Sequence, residues 1–119
     1  MNFKELEAYI LQKEGVTFDY PFDEKVRTYR ISEKMFALTE DTLPLRVNLK
    51  CDPIYSLELR SLYKGISGGY HMNKKHWNTV SLDADVDVET IKELIDHSFD
   101  LVYGKLTKKQ KALLLQGEE

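Results

Sequence analysis

A single cysteine, Cys51, among 119 residues excludes an internal disulfide and leaves no thiol pair for structural zinc, a usage that suits a reducing compartment. Three prolines, six glycines and no fixed-period repeat exclude low-complexity and solenoid classes. No apolar run approaches the roughly 18 residues that spanning a bilayer requires. The amino terminus, Met1-Asn2-Phe3-Lys4-Glu5-Leu6-Glu7, is acidic and amphipathic rather than basic then apolar. A soluble, cytoplasmic chain with no membrane partner is expected. Catalytic signatures are missing as well. There is no HExxH, no nucleophile elbow, and Gly65, Gly68 and Gly69 lack the Lys-Ser/Thr ending of a phosphate-binding loop. The expectation is a non-enzyme with no cofactor and no metal.

What is present reads as one globular domain over residues 1–119, long enough to bury about two thirds of its unfolded surface, with a monomer as the expected assembly. The net charge of −3 argues against a uniformly basic nucleic-acid binder. Charge is unevenly distributed, however. Between Leu59 and Leu82 there is no acidic side chain, only Arg60, Lys64, Lys74 and Lys75. Asp83, Asp85, Asp87, Glu89, Glu93, Asp96 and Asp100 then follow against the single Lys92. Residues 65–80 hold three of the six glycines, two of the three histidines and the only tryptophan. Such a window is built to contact something.

Element signals come in the order αβββαββαα. Asn2 with Glu5 is a capping-box pair, and Phe3, Leu6 and Ile10 share a helical face before Gly15. Residues 17–25, aromatic around Pro21, read as an ordered connection. Strands are expected over 26–31, 35–39 and 45–51, with turns at 32–34 and 41–44. In the third, Leu45, Val47, Leu49 and Cys51 alternate with Arg46, Asn48 and Lys50, which predicts a sheet with one wet face. Asp52-Pro53 starts a helix whose buried side is expected to carry Ile54, Leu57 and Leu62. A second hairpin is expected over 66–73 and 77–82. Asp87 is expected to cap the longest helix, ending at Gly104, and Thr107 with Gln110 to open a short last one. The class is α+β: an antiparallel sheet of about five strands with helices packed on one face.

Together these elements resemble the MmcQ/YjbR family of small bacterial proteins. The signature is the run from Gly69 to Val80, Gly-Tyr-His-Met-Asn-Lys-Lys-His-Trp-Asn-Thr-Val. Tyr20-Pro21-Phe22, Lys34 to Leu38, Asn48 to Pro53, Leu59-Arg60 and Ile95 to Val102 support it. The resemblance implies a compact α+β fold related to the frataxin-like arrangement, a double-wing motif and a DNA-binding role. Where relatives often carry proline before the first glycine and before the Gly-Tyr pair, this chain has Lys64 and Gly68, which implies a looser, more basic loop.

The residues support weak DNA binding independently. A β-ribbon with lysines at its tip can follow a phosphate backbone. Lys74 and Lys75 would neutralise phosphates, while Asn73, Asn78 and His76 would donate hydrogen bonds, with His71 beside them. Tyr70 or Trp77 could stack on a base, and Lys64 or Lys50 could extend the patch. In the competing reading Trp77 and Met72 are core, the lysines a solvated tip and the asparagines turn formers. A third reading is a small-anion, nucleotide or protein-interaction module in which the amides of Ser67-Gly68-Gly69 form an anion nest. Cys51 is expected to be a buried structural thiol and His97 a mid-helix residue without ligand function.

Overall fold

Local chemistry fixes where the helices begin. The computed structural model describes residues 1–70 and 72–116. Asn2 Oδ1 accepts the Glu5 amide at 2.9 Å and Glu5 Oε1 accepts the Asn2 amide at 3.0 Å, opening α1 (Phe3–Leu11). Asp52 accepts the amides of Ile54 and Tyr55 at the start of α2 (Pro53–Leu62), with Pro53 in the first turn. Thr107 and Gln110 form the reciprocal pair that opens α4 (Lys108–Gln116). Asp87 precedes α3 (Val88–Gly104), but its carboxylate accepts the Thr90 hydroxyl, not a backbone cap bond, so it is an N-cap in position only.

Six strands form one antiparallel sheet: β1 (Val16–Asp19), β2 (Val26–Ile31), β3 (Lys34–Glu40), β4 (Arg46–Lys50), β5 (Ile66–Gly68) and β6 (Trp77–Ser81). Their spatial order is β1-β2-β3-β4-β6-β5, so β6 enters between β4 and β5. The α+β class holds, with one strand more than expected. That strand is β1, which pairs with β2 from Val16–Ile31 to Asp19–Thr28 within the stretch read as a connection. Its side chains are almost all exposed, so it carries no burial alternation to betray it. In turn, β5 is shorter than expected, because the chain leaves the ladder after Gly68.

The alternation in β4 appears as expected. Leu45, Val47, Leu49 and Cys51 join Leu6, Ile95 and their neighbours in the core between sheet and helices, while Arg46, Asn48 and Lys50 face the other way. That second face is only partly wet, with Arg46 exposed and Asn48 and Lys50 half-buried. Leu38, which pairs with Asn48, is buried, as are Thr79 and Trp77 of β6. Residues from the 20–25 and 41–45 connections and from the 69–76 turn close over it.

Two helix contacts bear on the site. Ser98 of α3 reaches into the sheet where β3 and β4 separate: its hydroxyl accepts the Lys50 amide at 2.9 Å and donates to the Phe36 carbonyl. Helix α2 packs against β5 and β6, though not through the residues expected. Ser56 and Leu59 are buried, whereas Ile54, Leu57 and Leu62 are 80%, 66% and 64% exposed. The spacing of the leucines is a misleading guide because a polar residue, Arg60, takes the sheet-facing flank, where its guanidinium bonds to Asn78 and Trp77. Truncating Leu59 to Ala should therefore cost about 2–5 kcal/mol of unfolding free energy. Ile54→Ser should change it by no more than about 0.5 kcal/mol. Denaturant titrations of the two variants check this, and a large loss at Ile54 would mean that its face is covered.

Candidate nucleic-acid interface

Backbone pairing shapes the connection between β5 and β6 before any side chain acts. The Gly69 amide donates to the Trp77 carbonyl at 2.8 Å, the Met72 amide to Gly69 O at 3.1 Å, and the amides of His76 and Trp77 to Asn73 O at 3.1 and 2.9 Å. The His76 carbonyl accepts the Cys51 amide at 2.8 Å, tying the turn to the end of β4. Gly69 is required by close approach: a Cβ there would lie 2.7 Å from Trp77 Cβ and 3.1 Å from its carbonyl oxygen. The Gly69 amide, one of the three donors in the anion-nest reading, is thus engaged by Trp77.

Arg60 holds this turn from the helix side. Its Nε donates to Asn78 Oδ1 at 2.8 Å, and its Nη2 donates to the Trp77 carbonyl at 3.2 Å and to the Lys74 carbonyl. One planar guanidinium thus ties α2 to three successive points of the turn, a geometry that lysine cannot reproduce. Asn78 is only 3% exposed and faces α2, since alternation puts it on the same side as Val80. It is a structural anchor, which corrects its expected role as a surface donor.

The remaining site residues divide. Lys74 and Lys75 are exposed, and neither forms an ion pair with a carboxylate among the described residues. The Lys74 stem lies over Gly68, and its Nζ donates to Gly69 O at 3.2 Å. Asn73 Oδ1 accepts the Lys75 amide at 2.9 Å, so this asparagine is a turn former. His76 is half-buried. His71 lies outside the described residues. Trp77 is buried beneath the Gly69 loop and offers no face for stacking, whereas Tyr70 is 65% exposed.

Lys50 is paired in register with Trp77 and is half-buried. Burial first, then the positive charges of Lys105 and Lys34, hold its amine below the ordinary lysine range. Several cations therefore gather at the sheet end that carries the turn. Lys64 does not join them. It precedes β5, at the opposite end of that strand from the turn, where its amide and that of Gly65 donate to Asp85 at 2.8 and 2.7 Å. These bonds hold the Asp85 carboxyl below its usual range. Three members of the acidic run, Asp85, Asp87 and Asp96, are engaged by protein donors, the last by Tyr9 and Lys13.

A cavity of about 410 Å³ opens on the second face of the sheet, between Tyr70 and Met72 on one side and Phe22, Asp23 and Pro44 on the other, with Leu38 and Asn48 on its floor. It was invisible to strand periodicity because its walls come from three connections that are far apart in sequence. Cys51 is buried, and desolvation raises its thiol above the ordinary range, which fits an inert core residue rather than a nucleophile.

A family model described as YjbR matches residues 11–101 of the chain. The chain belongs to the YjbR family. Among its relatives, YbdF of Escherichia coli O157:H7 is 34% identical over 100 residues, covering 82% of this chain and 81% of that one. YjbR of Escherichia coli K12 is 28% identical over 117 residues, covering 98% and 99%. The crystal structure of Deinococcus radiodurans DR2400, of the domain family DUF419, superposes with a TM-score of 0.89 at 35% identity, covering 95% of this chain and 87% of that one. The YjbR match contains the Arg60 contacts, the turn and the cavity, while α4 with Lys108, Lys109 and Lys111 lies beyond it.

Replacing Arg60 with Ala should leave Asn78 Oδ1 and the Lys74 carbonyl short of a donor, while the Trp77 carbonyl keeps the Gly69 amide, at about 1–3 kcal/mol for the buried asparagine oxygen. Arg60→Lys should restore only part of this. Amide hydrogen exchange should accelerate first at residues 74–78, and uniform acceleration across the sheet would refute the local role. The Cys51 thiol should react slowly with a disulfide reagent in the native state and fully in denaturant, and fast native labelling would contradict its burial.

Proposed function

We propose that this YjbR-family protein is a non-catalytic nucleic-acid-binding domain that grips the phosphate backbone with the turn between β5 and β6. One observation carries the reading: Lys74 and Lys75 stand exposed and, among the described residues, free of carboxylate partners, on a turn that Arg60, Asn78 and Cys51 fix from beneath. An ammonium held on a rigid turn loses less freedom on binding than one on a mobile loop. Lys50, with Lys34 and Lys105 near it, adds positive potential at the same end of the sheet. The contacts are to phosphate, which positions a strand without reading its sequence. With Asn78 buried and Asn73 occupied in its turn, direct base readout by the expected amides is not part of the proposal.

Affinity for DNA should fall linearly with the logarithm of salt concentration. Each phosphate contact contributes a slope of about −0.9 on duplex and about −0.7 on single strands. Lys74→Ala combined with Lys75→Ala should flatten the slope by about two contacts and weaken binding to all sequences alike. Fluorescence anisotropy at several salt concentrations measures both quantities. Salt-independent binding, or a double variant indistinguishable from the parent, would overturn the reading.

A further inference from the structure

The cavity on the second face of the sheet has no part in holding phosphates, yet the same turn builds it. Its floor follows from the strand register: Leu38 pairs with Asn48, and Asn48 with Thr79, so these side chains lie in one row across β3, β4 and β6. Glu40 and Arg46 lie toward the other end of the cavity. The walls are mainly apolar, from Val26, Met72 and Pro44, and the exposed rings of Phe22 and Tyr70 stand at the mouth. At about 410 Å³ it falls in the range of small-ligand sites, about 300–1,000 Å³.

The polar groups are arranged rather than scattered. The Tyr70 amide donates to Thr79 Oγ1 at 2.9 Å, and the Thr79 hydroxyl donates to Asn48 Oδ1. That relay uses the asparagine oxygen and so assigns its amide orientation, leaving the –NH₂ group as a donor with no hydrogen-bond partner among the described residues. Glu40 supplies an acceptor on the same lining and Arg46 a further donor. Rings at a mouth, apolar walls, and a fixed donor set against an acceptor suit a planar heteroaromatic group with both kinds of edge. Only Asn73 lies between Met72 and Lys74, two steps of chain or about 7 Å at full extension, so the cavity adjoins the phosphate-binding turn.

We infer that the cavity receives one unstacked nucleobase of a single-stranded nucleic acid, edge-on to Asn48 and Glu40 and flanked by Tyr70. The inference rests on the phosphate-binding role proposed for Lys74 and Lys75 and adds to it a preference for strands that carry bases. Exposed rings recognise bases without strong sequence preference, because every base has a π-face. The Asn48 donor and the Glu40 acceptor give a preference for bases with an exocyclic amine, to which a carboxylate can accept.

The test compares a single-stranded DNA oligomer with an abasic oligomer of equal length and charge, at low salt, using the parent protein, Asn48→Ala, Tyr70→Ala and the Lys74→Ala/Lys75→Ala pair. Tyr70 is exposed, so its variant retains the fold even if Asn48→Ala does not. Binding of the parent to the abasic strand should be weaker by about fivefold to a hundredfold, the range that one stacked base supplies. Tyr70→Ala and Asn48→Ala should reduce affinity for the base-bearing strand and leave the abasic strand unchanged. Equal affinity of the parent for both strands, with the lysine dependence intact, would overturn the base site while leaving the phosphate reading in place. Failure to bind either strand would overturn the phosphate reading and the base site with it.

Discussion

The guanidinium of Arg60 is the constraint on which the rest of the functional surface depends. It bonds to the side chain of Asn78 and to the carbonyls of Trp77 and Lys74, so a turn with little regular structure of its own inherits the rigidity of α2. Planarity matters here, since several donors in one plane fix position and orientation together. Without that fork the turn would keep its own backbone bonds, but its attachment to α2 through Asn78, Trp77 and Lys74 would be lost.

Everything at the site inherits its position from that anchor. The Gly69 loop folds back against Trp77, which directs Tyr70 and Met72 toward the second face, while Lys74 and Lys75 carry their charges outward. One connection therefore presents an apolar recess on one side and ammonium groups on the other. Thr79 links the two halves. It accepts the Tyr70 amide and donates to Asn48, joining the loop to the central strand of the floor.

The sequence was most legible where chemistry is local. Capping pairs at Asn2–Glu5 and Thr107–Gln110, the Asp52-Pro53 start and the alternation along β4 all depend on residues within a few positions of one another, and all appear in the structure. The site was legible as a stretch, because its glycines and lysines stand out, but not as an arrangement. Asn78 looked like a surface donor since nothing nearby in the chain marks it as the partner of a residue eighteen positions earlier. The α2 face was misassigned for the same reason: leucine spacing reports hydrophobicity, whereas the sheet-facing flank was taken by a guanidinium with distant carbonyl partners. Edge strand β1 left no alternation because both its faces are largely solvated.

Ser98 sets the mechanical character of the basic end. By standing between Lys50 N–H and Phe36 C=O, its hydroxyl takes the place of a direct strand-to-strand link, so α3 is stitched into the weave of the sheet rather than laid upon it. A helix attached in this way cannot slide across its sheet without breaking buried bonds. Any partner that docks at this end meets a stiff platform, and adjustment to its shape falls to the long lysine side chains alone.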